Sequence, residues 1–455
     1  MIEKFSKIGF VLAMAGSAVG LGNAWKFPTM TGNNGGSAFI LLYILLTLGV
    51  AVVAFLAELA IGKLGESDTV NSIYKIAPSH KKAWSMSGFF MIGAILIASF
   101  YMVVIGWILY YVFLAFTTLP ATTEAAGATF GNLVSNNAWT AILCFSAIFA
   151  LVFYVVSRGI KSGIEKLNYW MMPTLFILLV LLVLYAVSAS EYFESALKFL
   201  FIPDFSKIWD TDVILQALGL AFFALSMGVC TVSTYAASLP NGTNLVKSTF
   251  SIVGINILIG IMMGIVVFSF VPIVEGQPAS GGPGLIFVSL ASLFAQMGVI
   301  GNVLAVMFFS SLLFAGVTSA VSMIEPFALY LINHFNFKRK QALFYIGIFV
   351  YTLGILCIFS YYGETADYLS IAAGAIGNAK AIPFFDVLDY FTSNILMPLG
   401  ALTFSVFVGW FLKRRALYLL FREFMNKFWF KIWYFALRFV VPIAIVAIGA
   451  YQLVK

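Results

Sequence analysis

Long apolar runs separated by short polar stretches organise the chain from end to end. They fall near residues 8–30, 37–62, 86–116, 138–157, 167–188, 213–238, 248–274, 300–332, 341–362, 384–412 and 432–454. Each is long enough to supply the roughly 20 apolar residues that carry a helix across a bilayer, so the pattern predicts about eleven transmembrane helices. Backbone inside lipid must satisfy its own hydrogen bonds, which leaves helices or closed barrels. Continuous runs of this length, without the short alternating segments of barrel strands, select helices and an all-α integral membrane fold.

Two of the runs are interrupted. In the first, Gly16-Ser17-Ala18-Val19-Gly20-Leu21-Gly22-Asn23 sets three glycines, a serine and an asparagine at mid-depth. In the sixth, five spans later, Ala224-Leu225-Ser226-Met227-Gly228-Val229-Cys230-Thr231 does something similar with a glycine, a serine and a threonine. Small residues that only let helices approach explain one such segment more readily than a matched pair. Paired interruptions at corresponding positions point to a transporter of two inverted five-helix repeats with its site at the midplane. The expected division is repeat one over 1–188, repeat two over 213–412, and a basic segment with an extra C-terminal helix over 413–455.

Composition agrees: 9% charged residues is far below the roughly 25% that a soluble surface needs. The net charge of +7 raises nucleic acid as a partner, but the placement of the charges removes it. With the N-terminus cytoplasmic, 20 of the 25 lysines and arginines fall on the inner side, and only Lys198, Lys207, Lys380 and Lys455 on the outer. Lys26 lies within a span. This bias predicts a multi-pass protein of the plasma (inner) membrane with its N-terminus inside and its C-terminus outside. The N-terminal run continues past Ala13-Met14-Ala15 into polar and glycine-rich sequence, unlike a cleaved leader. Cys144, Cys230 and Cys357 each sit in apolar runs and read as packing residues, and two histidines, His80 and His334, are too few for a haem or zinc centre. Neither His-Glu-x-x-His nor Gly-x-Ser-x-Gly occurs, so no enzyme is expected.

The segment Ala13-Met14-Ala15-Gly16-Ser17-Ala18-Val19-Gly20-Leu21-Gly22-Asn23-Ala24-Trp25-Lys26-Phe27-Pro28, followed by Asn34-Gly35-Gly36-Ser37-Ala38-Phe39, resembles the first-helix signature of the neurotransmitter:sodium symporters. The bacterial members of that family carry amino acids. The similarity continues through Arg158-Gly159-Ile160, Met172-Pro173-Thr174, Phe222-Phe223-Ala224-Leu225-Ser226-Met227-Gly228, Phe314-Ala315-Gly316-Val317-Thr318-Ser319 and Phe385-Asp386-Val387-Leu388-Asp389-Tyr390. The resemblance implies broken first and sixth helices and alternating access.

It also implies a site. An amino acid zwitterion would set its carboxylate on amides around Leu21 and Gly22 and on the Tyr101 hydroxyl, and its ammonium on carbonyls of Ala18, Phe223, Ala224 and Ser226, with Ser319 nearby. Side-chain selectivity would fall to Ile97, Val229, Cys230 and Met323, an uncharged apolar set suited to a small neutral amino acid, hydrophobic or aromatic. Gly20 stands where monoamine carriers place an aspartate, which favours a substrate bringing its own carboxylate.

Sodium requires an oxygen cage. By resemblance, sodium site 1 comprises Ala18, Asn23, Ala224 and Asn256, and site 2 comprises Gly16, Val19, Ala315, Thr318 and Ser319. Ala224 replaces a usual threonine or serine, so site 1 loses a hydroxyl, and one or two ions remain open. Leu220, Ala224 and Gly260 offer no donor side chain where chloride-dependent members bind their anion, so no chloride requirement is expected.

Lys26 and Asp389 match the family's outer gate, closed over by Phe223, and Glu58 matches a glutamate that caps the unwound sixth helix. Within the inner gate Glu325 and Asn333 replace a usual Gln and Asp, and Lys4 or Lys7 is the expected partner of Glu325. In the fifth helix, Gly163 and Pro173 match a spacing at which some members unwind. Two other readings stay open on the same fold: an amino acid sensor and a channel-like protein.

Overall fold

The computed structural model describes residues 3–202, 205–271, 273–274, 277–278, 283–363, 365, 370–372 and 381–454, so Lys380 and Lys455 lie outside the described residues. Among these, nine helices are long and apolar enough to cross a membrane. They are Ser37–Gly65, Lys81–Ala115, Ala138–Ser157, Ile160–Ala189, Leu245–Phe270, Gly298–Phe335, Arg339–Phe359, Phe384–Phe411 and Lys427–Ala450. A tenth crossing is the pair Lys7–Ala18 and Gly22–Asn33, bent by 54°. The remaining apolar run divides into Thr211–Ala224 and Thr231–Ala237, each too short to span alone. These elements are numbered as spans one to eleven in chain order, the two broken runs being spans one and six.

Local chemistry accounts for both breaks. In span one the Gly20 N–H donates to Ala18 O at 3.0 Å instead of reaching back a full turn, which releases the Gly16 carbonyl. Span six turns through three residues of positive φ, Ser226 (51°), Gly228 (84°) and Cys230 (66°). Only Gly228 adopts this conformation without a steric cost, and a Cβ there would strike the Met397 carbonyl of span ten. Opening the helix leaves backbone donors without partners in a dry interior. Glu58 of span two, 2% exposed, answers by accepting the Gly228 N–H at 3.0 Å, the capping role expected of it.

Span eight packs on spans three and five and on the first half of span one, forming the frame around both breaks. Span five begins earlier than the apolar run suggests, because its wide first turn, Ile160–Glu165, carries Lys161 and Glu165 and so escapes a hydropathy reading. Two antiparallel ladders, Ile273–Val274 with Gln277–Pro278 and Ser370–Ala372 with Ala381–Pro383, interrupt the helical architecture.

Where the chain begins, its backbone is tied to span five. The Glu3 carboxylate accepts the Ile160 N–H at 2.8 Å, and the Ser6 N–H donates to Glu165 Oε2 at 3.0 Å. Lys4 and Lys63 meet on Glu66, at 3.3 and 3.1 Å. The Lys63 hydrogen bond, with the Lys63 and Lys4 charges, holds that carboxyl below its ordinary value. The expected pairing of Lys4 or Lys7 with Glu325 is therefore corrected: the partner of Glu325 is Arg339. Its guanidinium engages both carboxylate oxygens, and its Nε donates to Val156 O at 2.6 Å. Spans eight and nine are joined by a short turn in which Asn336 is left-handed, and this folds Arg339 back onto the wholly buried Glu325. A planar fork also suits a carboxylate better than a lysine ammonium does.

Candidate functional site

The two breaks face each other across a chamber of about 410 Å³ bounded by spans one, three, six, eight and ten. Ala18, Gly22, Ile97, Tyr101, Phe223, Ala224, Ser226, Val229, Ser319 and Met323, each assigned to substrate from sequence, line this one space. Leu21 reaches it through its backbone, donating its N–H to Tyr101 Oη at 2.8 Å. Gly20 is required by the same geometry, because a Cβ there would run into Tyr101 Oη and the Ser319 side chain. Cys230 departs from expectation. It does not line the chamber; its left-handed backbone directs Sγ to Gly88 O at 3.3 Å.

Hydroxyls close around a second carbonyl at the first break, that of Ser17, whose helical donor Leu21 N–H is turned to Tyr101. Ser226 and Ser319 both donate to Ser17 O, at 2.9 and 3.1 Å, and Ser17 Oγ lies 2.8 Å from Ser322 Oγ. Spans one, six and eight thus meet at a single peptide group. From sequence Ser17 marks the break and has no role in the site, because the resemblance follows the freed carbonyls of its neighbours.

Of the residues proposed for sodium site 1, Ala18 and Ala224 line the chamber, and Asn23 and Asn256 meet each other beside the first break. Asn23 Nδ2 donates to Asn256 O and Oδ1, at 3.0 and 2.7 Å, and Asn256 Nδ2 donates to Tyr43 Oη at 3.0 Å. With those donors committed, Asn23 Oδ1 is left as a buried oxygen with no hydrogen-bond partner. In site 2, Thr318 Oγ1 donates to Phe314 O (2.9 Å) and Ala315 O (3.1 Å), the local bonding common for a threonine in a helix. That bonding uses its proton and leaves oxygen lone pairs for a cation. Gly16 is hemmed in by Thr318 and by Asn168 of span five. Asn168, 0% exposed, donates through Nδ2 to Ile164 O at 2.9 Å, while its Oδ1 faces Gly16 with no hydrogen-bond partner. Only a side chain seen in place shows this; an asparagine in an apolar run carries no such signal by itself.

Phe223 also lines a second, more open cavity of about 780 Å³, together with Lys26, Gln216, Ser393 and Ile445, and so separates vestibule from chamber. Lys26 Nζ stands 3.7 Å from Asp389 Oδ1 and 3.9 Å from the Phe223 ring centroid. One cation thereby holds both the acid of span ten and the aromatic lid. The pair is partly solvated, with side chains 25% and 36% exposed, so its Coulomb contribution is modest.

A bilayer-sized helical bundle with two opposed broken helices, and a chamber of hydroxyls and apolar side chains between them, is the architecture of a secondary transporter and not of an enzyme. The chain belongs to the sodium:neurotransmitter symporter family, whose model matches residues 3–128 and 126–455. Its fold is accordingly two inverted five-helix repeats with an additional C-terminal helix, and it is a sodium-dependent transporter. It is 37% identical to the uncharacterized sodium-dependent transporter YhdH of Bacillus subtilis, over 98% of this chain and 96% of that one. It is 30% identical to an uncharacterized sodium-dependent transporter of Methanocaldococcus jannaschii, over 93% and 83%. Among solved structures it is similar to MhsT in complex with L-phenylalanine, with a TM-score of 0.87, 34% identity, and 99% and 100% of the two chains covered.

Proposed function

We propose that the protein imports a neutral hydrophobic or aromatic amino acid across the plasma membrane, coupled to one or two sodium ions. The N-terminus lies inside, the C-terminus outside, and the repeats run over 1–188 and 213–412. The observation that carries this reading is the chamber itself. The Tyr101 hydroxyl, which accepts the Leu21 N–H at 2.8 Å, is positioned in it for a carboxylate, across from the break of span six. The half-helix ends supply opposite partial charges for the two ends of a zwitterion. L-Phenylalanine in the similar transporter MhsT supports the substrate class.

Each sodium entering down a tenfold gradient and 100 mV supplies about 3.7 kcal/mol, enough for roughly 500-fold accumulation of a neutral solute. Chloride has no part in this reading, because Leu220, Ala224 and Gly260 bring no hydroxyl or amide side chain.

The test is binding of an amino acid panel to purified protein across a sodium titration, with uptake and counterflow in proteoliposomes. Saturable uptake that stops when potassium or choline replaces sodium is expected. Ohmic current without sodium dependence would instead identify a channel, and sodium-linked binding without counterflow a sensor. Ala224→Ser, which restores a hydroxyl to site 1, should raise apparent sodium affinity about fivefold, close to 1 kcal/mol. An unchanged sodium titration would remove Ala224 from the cage.

A further inference from the structure

Five hydroxyl-bearing side chains line the chamber: Ser17, Tyr101, Ser226, Thr231 and Ser319. Four have protein partners. Ser226 and Ser319 bond Ser17 O, Ser17 pairs with Ser322, and Tyr101 receives the Leu21 N–H. Thr231 is 0% exposed, and its Oγ1 has no hydrogen-bond partner among the described residues. Leaving a buried hydroxyl unmatched costs on the order of 1 to 3 kcal/mol, so its place in the chamber calls for a partner.

Its position tells which part of a substrate that partner is. On three elements the chamber wall steps from a polar residue to an apolar one. Tyr101 gives way to Ile97 one turn away in span three, Ser319 to Met323 one turn on in span eight, and Ser226 to Val229 along the break of span six. The polar members face the zwitterionic head, and the apolar members make the side-chain pocket. Thr231 opens the second half-helix of span six, immediately beyond Val229 and Cys230, and is the hydroxyl of that apolar end.

We infer that Thr231 sets side-chain specificity by hydrogen bonding a polar atom at the edge of an otherwise apolar substrate side chain, and that the preferred substrates are phenol- or indole-bearing amino acids. A purely hydrocarbon side chain leaves the hydroxyl unmatched, and sites that hydrogen bond their substrate discriminate strongly against analogues lacking the group. The inference rests on the amino acid reading above and narrows it.

Sodium-dependent equilibrium binding to the full-length protein tests it with two matched pairs: tyrosine against phenylalanine, and tryptophan against 1-methyltryptophan. At least one polar member should bind about tenfold tighter than its partner, the size of one net hydrogen bond. Thr231→Val, which keeps shape and removes the hydroxyl, should bring that ratio to about one by losing the same bond, and Thr231→Ser should retain it. Ratios near one for both pairs in the wild type, or a ratio that Thr231→Val leaves unchanged, overturn the inference while the transport reading stands. Preference for an aliphatic amino acid does the same. Absence of sodium-linked binding by every amino acid in the panel overturns both. If Thr231→Val does not fold, the wild-type ratios decide.

Discussion

Thr318→Ala is expected to abolish sodium-linked amino acid binding while leaving the protein folded. The hydroxyl it removes donates only to carbonyls of its own helix, Phe314 O and Ala315 O, so the structural loss is about 1 kcal/mol or less. Its functional loss is much larger. In a dry site a sodium ion has no water to replace a missing ligand, and carbonyls of Gly16, Val19 and Ala315 with Ser319 alone leave the cage short. Ser319 cannot compensate, because it is already counted among the ligands of the same cage and adds no further oxygen. The expected fall in sodium affinity is at least about 100-fold, or 2.7 kcal/mol, read from sodium titrations at fixed substrate. Thr318→Ser should recover most of it. Intact sodium dependence in Thr318→Ala, with an unchanged thermal midpoint, would remove site 2 as assigned.

The largest effect on stability is expected from Arg339→Gln. Glu325 is wholly buried in span eight, and its only charged partner among the described residues is Arg339, which also bonds Val156 O at 2.6 Å. Removing one partner of a buried pair strands the other charge at a cost of about 3 to 5 kcal/mol. Replacing both, as Glu325→Gln with Arg339→Gln, removes the stranded charge and should restore most of the loss. The readout is the thermal midpoint of detergent-purified protein for the two single variants and the double. A double variant no better than the worse single one would show that the pair acts through packing instead of charge compensation.

These two sites differ in how far they could be read without coordinates. The breaks in spans one and six are written in residue type, since the glycines, Ser17, Asn23 and Ser226 in otherwise apolar runs interrupt a pattern that hydrocarbon enforces. The same is true of Ala138–Ser157, whose helix matches its apolar run end to end. The Arg339 to Glu325 pair was not legible. Arg339 belongs to a basic cluster, Lys338-Arg339-Lys340, that any charge count assigns to a membrane surface, and only the tight turn at Asn336 brings it beneath span eight. Cys230 failed for a related reason. The resemblance puts its side chain in the pocket, and a left-handed residue turns that side chain away. Thr231 and Asn168 needed an account of which polar atoms already have partners, and composition holds no such information.

The salt bridge at the vestibule has an electrical consequence. Lys26 and Asp389 carry charges that sum to zero, and Phe223 adds none. A shift of the pair as one unit carries no net charge through the transmembrane field, whereas each sodium that crosses does, at about 2.3 kcal/mol per 100 mV. If the pair is the outer gate proposed for it, a membrane potential acts on it only as far as the two charges separate along the membrane normal, and acts on the cycle mainly through the sodium carried.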